Sequence, residues 1–189
     1  MKRKGGSAAL LFATCCANTA AGHDIVLAMS RRSHVSAGIL AYRLKDGLEV
    51  LLAHPGGPFW AKKDAGAWSI PKGLVESGDL LVCARREFTE ETGLVADGEF
   101  MPLNPVKQKS GKTVHAFALA ADLDLSDCRS NYFQAEWPPR SGKWKSFPEI
   151  DRVAYFDLNT ALTKILAYQQ PFLTELAQKL GVASHGRSG

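Results

Sequence analysis

The sequence predicts a single α+β domain, and three features carry that expectation. Strand-forming runs dominate residues 35–156, one amphipathic helical segment interrupts them near residue 80, and two helical stretches close the chain. Its 189 residues suit one ordinary domain with some extension. A composition 46% hydrophobic and 22% charged argues against disorder, a collagen-like repeat or a multi-span membrane protein.

The elements follow in order. Val35–Leu44 is rich in strand formers and meets a Lys45-Asp46-Gly47 turn, after which Leu48–His54 continues as the second arm of a hairpin. Pro55-Gly56-Gly57-Pro58 ends regular structure, and a loop carrying Phe59, Trp60, Lys62 and Lys63 leads to a short strand at Ala67–Ile70. Pro71–Asp79 reads as a loop, and Leu80–Thr92 as a helix that Asp79 can cap and Gly93 closes. Further strands are expected at Glu99–Leu103, Thr113–Ala121, Tyr132–Glu136 and Val153–Phe156. Asn159 is placed to cap a helix through Ala167, and Pro171 to open one through Leu180. This sets a domain at 29–182 and a frayed tail at 183–189.

The net charge of +4 belongs to the start of the chain. Residues 1–32 hold Lys2, Arg3, Lys4, Arg31 and Arg32 against Asp24, so the remainder is electrically neutral. A neutral body gives no basic face for tight nucleic-acid binding. Residues 1–28 read as an extension, either disordered, a start assigned too early before Met29, or a targeting segment. Their mild apolar run, broken by Thr14 and Asn18, is too short to span a bilayer. Cys15, Cys16, Cys83 and Cys128 show no C-x-x-C pair and no zinc spacing. Nothing demands an oxidising compartment, and a cytoplasmic location is expected.

The chemistry concentrates in Gly73–Leu94. At 100° per residue, Glu87, Glu90 and Glu91 share roughly a 100° arc, while Leu81, Ala84 and Phe88 form a separate apolar stripe. Three carboxylates in a last helical turn repel one another and oppose the helix dipole. Taken alone they fit either a solvated acidic face or a divalent-cation site, for which all-oxygen donors suit Mg²⁺ or Mn²⁺.

The surrounding residues resemble the signature of the Nudix hydrolase family, G-x5-E-x7-R-E-U-x-E-E-x-G-U with U aliphatic. Gly73 is followed by Arg86-Glu87-Phe88-Thr89-Glu90-Glu91-Thr92-Gly93-Leu94, with Phe88 at the aliphatic position. Asp79 stands at the first glutamate position, and one residue is missing between Asp79 and Arg86. Ala37-Gly38-Ile39-Leu40 and Trp68-Ser69-Ile70-Pro71-Lys72-Gly73 extend the similarity over about residues 34–180.

The resemblance implies an α/β/α sandwich around a mixed sheet and metal-dependent hydrolysis of a pyrophosphate bond. The substrate class is a nucleoside polyphosphate, either a nucleoside triphosphate or a dinucleoside polyphosphate such as diadenosine tetraphosphate. It implies Glu87, Glu91, Glu90 and the Gly73 carbonyl as ligands of Mg²⁺ or Mn²⁺, with Arg86 orienting the glutamates. Glu149, ahead of Glu136, is the expected general base, and Lys72, Phe59 and Trp60 the expected substrate contacts. Lys107, Lys109 and Lys112 read as a solvated basic loop. Many relatives form homodimers, which no residue here specifies. Two other activities stay open: a non-hydrolytic nucleotide sensor or interaction module, prompted by the missing residue, and RNA decapping, prompted by Pro71-Lys72-Gly73 and the basic start.

Overall fold

The computed structural model describes residues 35–182. The expectations for residues 1–28, for Met29 and for the tail at 183–189 lie outside them, as do Cys15 and Cys16.

Seven of the nine described strands form one mixed sheet. Its strands are β1 (Val35–Leu44), β2 (Leu48–Pro55), β3 (Lys72–Leu74), β4 (Phe100–Pro102), β5 (Val106–Lys107), β6 (Thr113–Ala120) and β9 (Ile150–Asp157). They run in the order β4-β6-β1-β2-β9, with β3 on β1 and β5 on β6. Among the described strands only β1 and β6 pair in parallel; the other strand pairs are antiparallel. β7 (Tyr132–Glu136) and β8 (Trp144–Pro148) form a separate two-stranded sheet.

Alternation along the strands builds two cores, as period-2 geometry requires. Ala37, Ile39, Ala41, Leu51 and Leu119 face helix α1 (Leu80–Thr92), which answers with Cys83, Ala84 and Phe88. Leu40, Val50, Leu52, Val114 and Ala116 face the opposite layer, made by α2 (Leu158–Lys164), a 3-10 turn at Ala167–Gln169 and α3 (Gln170–Lys179). The expected α/β/α sandwich is the observed architecture. Phe88, the aromatic in an aliphatic slot, is fully buried.

Several elements differ from expectation. The Ala67–Ile70 strand reduces to two isolated bridges, Ser69 with Ala53 and Trp68 with Ile165. The loop beginning at Pro71 contains β3, whose Lys72 lies opposite Gly38. A Cβ on Gly38 would sit 2.4 Å from the Pro71 carbonyl oxygen and 2.5 Å from the Lys72 Cβ, so only glycine lets β3 lie on β1. β5 and β8 were not expected; β5 has two residues, and β8 shows no apolar alternation. α2 is capped by Asp157, not Asn159: its carboxylate accepts from Thr160 N–H at 3.0 Å and from the Thr160 hydroxyl at 2.6 Å. That helix ends at Lys164, short of Ala167, because Ile165 leaves helical geometry to bridge Trp68.

Helix α1 explains how the chain absorbs its missing residue. Asp79 Oδ1 accepts from the N–H groups of Leu81 (2.8 Å) and Val82 (3.0 Å), and Gly93 closes the other end in left-handed geometry, φ 75°. Relative to the expected stripe, Leu81 is half-buried and Thr92 joins the buried face. Asp79→Ala is expected to lower stability by about 1 kcal/mol in a chemical denaturation curve, the usual worth of an N-cap.

Candidate active site

The site forms where β3 crosses the last turns of α1. A Cβ on Gly73 would fall 1.7 Å from Glu87 Oε2, so the absent side chain is the space the Glu87 carboxylate occupies. One residue earlier, the Lys72 N–H donates to Glu91 Oε2 at 2.8 Å. Both contacts hold β3 to the acidic face of α1, and they keep Gly73 in register with the glutamates although one residue is missing between Asp79 and Arg86.

Arg86 organises the same face. Its Nη1 pairs with both Glu90 oxygens at 3.1 and 3.0 Å, and its Nη2 bonds Glu87 Oε1 and reaches Cys83 Sγ at 3.8 Å. The Cys83 and Glu90 hydrogen bonds and the Glu87 charge raise the Arg86 pKa further above its already high value. Glu90 is thereby turned toward Arg86 and is exposed, whereas Glu87 and Glu91 are partly sunk between α1 and β3. Among the described residues no three acidic, His or Cys side chains already close around one point.

Burial dominates the electrostatics of the two inner carboxyls. It pushes the Glu91 pKa up to about 7, with the Lys72 charge and N–H opposing and the charges of Glu87 and Glu149 adding to the rise. Glu87 is likewise raised, first by burial, against the pull of Arg86. Glu149 therefore bears on both carboxyls from another part of the chain.

Backbone contacts hold Glu149 between β8 and β9. Its N–H donates to the Asn131 carbonyl at 2.8 Å, and its carbonyl accepts from Gly56 N–H at 2.8 Å. Glu136 occupies the last rung of the β7–β8 hairpin, where its Oε1 accepts from Gly142 N–H at 2.6 Å. Glu149 thus acts on the inner carboxyls of α1, whereas the Glu136 carboxylate is engaged at the hairpin turn.

Lys112, read as part of a solvated loop, belongs here. It immediately precedes β6, whose Thr113 is paired with Val35 at the start of β1. Burial and the neighbouring Lys72 charge lower its pKa, while Glu87 raises it. Neither Lys72 nor Lys112 forms an ion pair among the described residues. The parallel β1–β6 register that delivers Lys112 has no local sequence signal.

Phe59 and Trp60 lie on the loop that Gly56 ties to Glu149. Phe59 is 63% exposed and meets Trp137 edge-on at 5.2 Å. Trp60 is half-buried against the core, with Lys63 Nζ 4.5 Å from its ring centroid.

The donor set is all oxygen, two of its carboxylates are crowded against burial and each other, and the Gly73 space keeps one of them beside β3. Such a set fits a hard divalent cation of the Mg²⁺ or Mn²⁺ type, which would relieve the charge crowding.

The chain matches the family model described as NUDIX domain over residues 32–176. It is 32% identical over 117 residues to Nudix hydrolase 7 of Arabidopsis thaliana, a match covering 57% of this chain and 40% of that protein. The chain thus spans less than half the length of that relative. A C. elegans Ap4A hydrolase binary complex shares the fold with a TM-score of 0.54 at 20% identity, covering 77% of this chain and 98% of that one. The NUDIX domain of Shewanella oneidensis NrtR complexed with ADP ribose gives 0.53 at 17%, covering 77% and 86%. No helix among the described residues is long and apolar enough to cross a membrane.

Proposed function

Because the chain belongs to the Nudix hydrolase family, we propose that it hydrolyses a phosphoanhydride bond of a nucleoside polyphosphate, a nucleoside triphosphate or a dinucleoside polyphosphate such as diadenosine tetraphosphate. The observation that carries this reading is the crowding of half-buried Glu91 and Glu87 beside Glu149, with two lysines that form no ion pair among the described residues alongside.

Glu87, Glu91 and the Gly73 carbonyl would hold Mg²⁺ or Mn²⁺, with Glu90 assisting. A bound ion supplies charge neutralisation at the pyrophosphate oxygens and an activated water. Lys72 and Lys112 would receive the remaining phosphate charge: two neighbouring ammonium groups repel until an anion lies between them. Arg86 holds Glu87 and Glu90 in their rotamers. Glu149 would accept the proton of the water that attacks phosphorus, while the bridging oxygen departs with the leaving phosphate. Phe59 offers an exposed ring for a base, a contact worth about 1–3 kcal/mol.

The test is a panel of nucleoside triphosphates, diadenosine tetraphosphate, ADP-ribose, NADH and coenzyme A with Mg²⁺ or Mn²⁺. Metal-dependent cleavage of a polyphosphate is expected. Nucleotide binding with no turnover anywhere would favour the non-hydrolytic reading.

The raised Glu91 pKa has a consequence for stability. Its folded value, about 7, lies above the ordinary carboxyl value of 4.5. Below about pH 4.5 the group is protonated in both states and costs the fold nothing. As the pH rises from about 4.5 through 7 the unfolded state gains by ionising first, and the metal-free protein loses roughly 3 kcal/mol. The metal-free thermal midpoint should therefore fall between pH 5 and 8, and Mg²⁺ should raise it more at pH 8 than at pH 5. An Mg²⁺ effect equal at both pH values would contradict the assignment.

A further inference from the structure

His54 is fully buried, yet the mechanism above does not use it. It sits at the end of β2, where the pairing with β9 slips: His54 lies opposite Arg152, and Pro55 lies opposite Ile150. Asp151 is the extra residue of a β-bulge, a device that re-aims neighbouring side chains. The freed Asp151 carboxylate bonds His54 Nδ1 at 2.7 Å, while His54 Nε2 bonds the Lys63 carbonyl at 2.8 Å. Both partners are oxygen acceptors, so the ring satisfies both only by donating from each nitrogen. Trp68 packs against the imidazole at 5.1 Å and fixes its plane.

The bulge begins two residues after Glu149. Gly56, two residues after His54, donates to the Glu149 carbonyl, and a Cβ on Gly56 would lie 2.1 Å from the Pro148 carbonyl oxygen. The imidazole thus bonds to the strand that leaves Glu149 and to the far end of the loop carrying Phe59 and Trp60.

We propose that His54 is a positioning residue for Glu149: by locking Asp151 in the bulge and closing the 55–63 loop, it sets where the Glu149 carboxylate stands over the glutamates of α1. The proposal rests on Glu149 as general base. Its prediction is a loss in kcat with the Mg²⁺ requirement unchanged, and with KM unchanged for a change at Asp151, which leaves the His54–Lys63 bond to the Phe59 loop in place.

The test is a double-mutant cycle with the polyphosphate of the panel that turns over fastest. His54→Gln removes one of the two donations, and Asp151→Ala removes the bulge anchor from a partly exposed position without opening the core. Each should lower kcat by about 10²-fold, the scale of a misplaced catalytic group. Asp151→Asn, which can still accept from Nδ1–H, should stay within about threefold of wild type. In a Glu149→Gln background both losses should vanish. Wild-type kcat in Asp151→Ala, or losses that multiply with Glu149→Gln, would overturn the clamp and leave the general base standing. Wild-type turnover in Glu149→Gln alone would overturn both.

Discussion

Glu91→Gln should abolish most turnover without unfolding the protein. Gln has nearly the same shape, and its amide oxygen can still accept from the Lys72 N–H that Glu91 Oε2 takes at 2.8 Å. What it loses is the charge a metal would need. A metal supplies several kcal/mol to such a reaction, and each 1.36 kcal/mol is tenfold in rate, so kcat should fall about 10³-fold. The stability change should run the other way. Burial raises the Glu91 pKa to about 7 because the folded protein disfavours the carboxylate. A neutral Gln removes that penalty, so the metal-free thermal midpoint at pH 8 should hold or rise while the Mg²⁺-induced increase shrinks. Loss of activity joined to loss of metal-free stability would instead mark Glu91 as a structural residue. Undiminished turnover would refute its place as a ligand.

The acidic face of α1 was legible because it is local. Glu87, Glu90 and Glu91 follow from the helical period alone, and Asp79 and Gly93 bound the helix by their own chemistry. The α+β class was legible for the same reason, since β1, β2, β6 and α1 are long and strongly patterned. β3 was not: three residues carry no period, and its pairing depends on a bare Gly38 about 35 residues earlier. Lys112 and His54 were invisible for a related reason. One is delivered by parallel pairing of β6 with β1, and the other acquires its partners through a bulge in β9 and a turn at Lys63. The sequence already set Glu149 ahead of Glu136, but not where the fold puts each of them. Glu136 ends β7 and Glu149 follows β8, so the β7–β8 pairing carries Glu136 to the rung beside the turn and leaves Glu149 at the hairpin's base.

Two glycines of β1 and β3 separate folding from chemistry. Gly38→Ala places a methyl 2.4 Å from the Pro71 carbonyl oxygen, a backbone atom with no room to retreat. Relief requires β3 to lift from β1, and overpacking of this kind costs about 1–3 kcal/mol. Gly73→Ala meets a different obstacle. The atoms within 2 Å of its added methyl are Glu87 Oε2 and Cδ, the far end of a flexible side chain. A rotamer change of Glu87 relieves that clash, with β3 still held by the Lys72–Glu91 bond and its pairing to β1. The fold should therefore tolerate Gly73→Ala with a change below about 1 kcal/mol, while the displaced Glu87 carboxylate lowers kcat by about 10²-fold, as misplacement by an ångström does. The two variants, compared by thermal denaturation and Mg²⁺-dependent turnover, should part cleanly. If Gly73→Ala kept full activity, the space beside β3 would not be where Glu87 does its work. If it unfolded as readily as Gly38→Ala, Glu87 would be a packing element of α1, and its carboxylate would have no freedom to serve a metal.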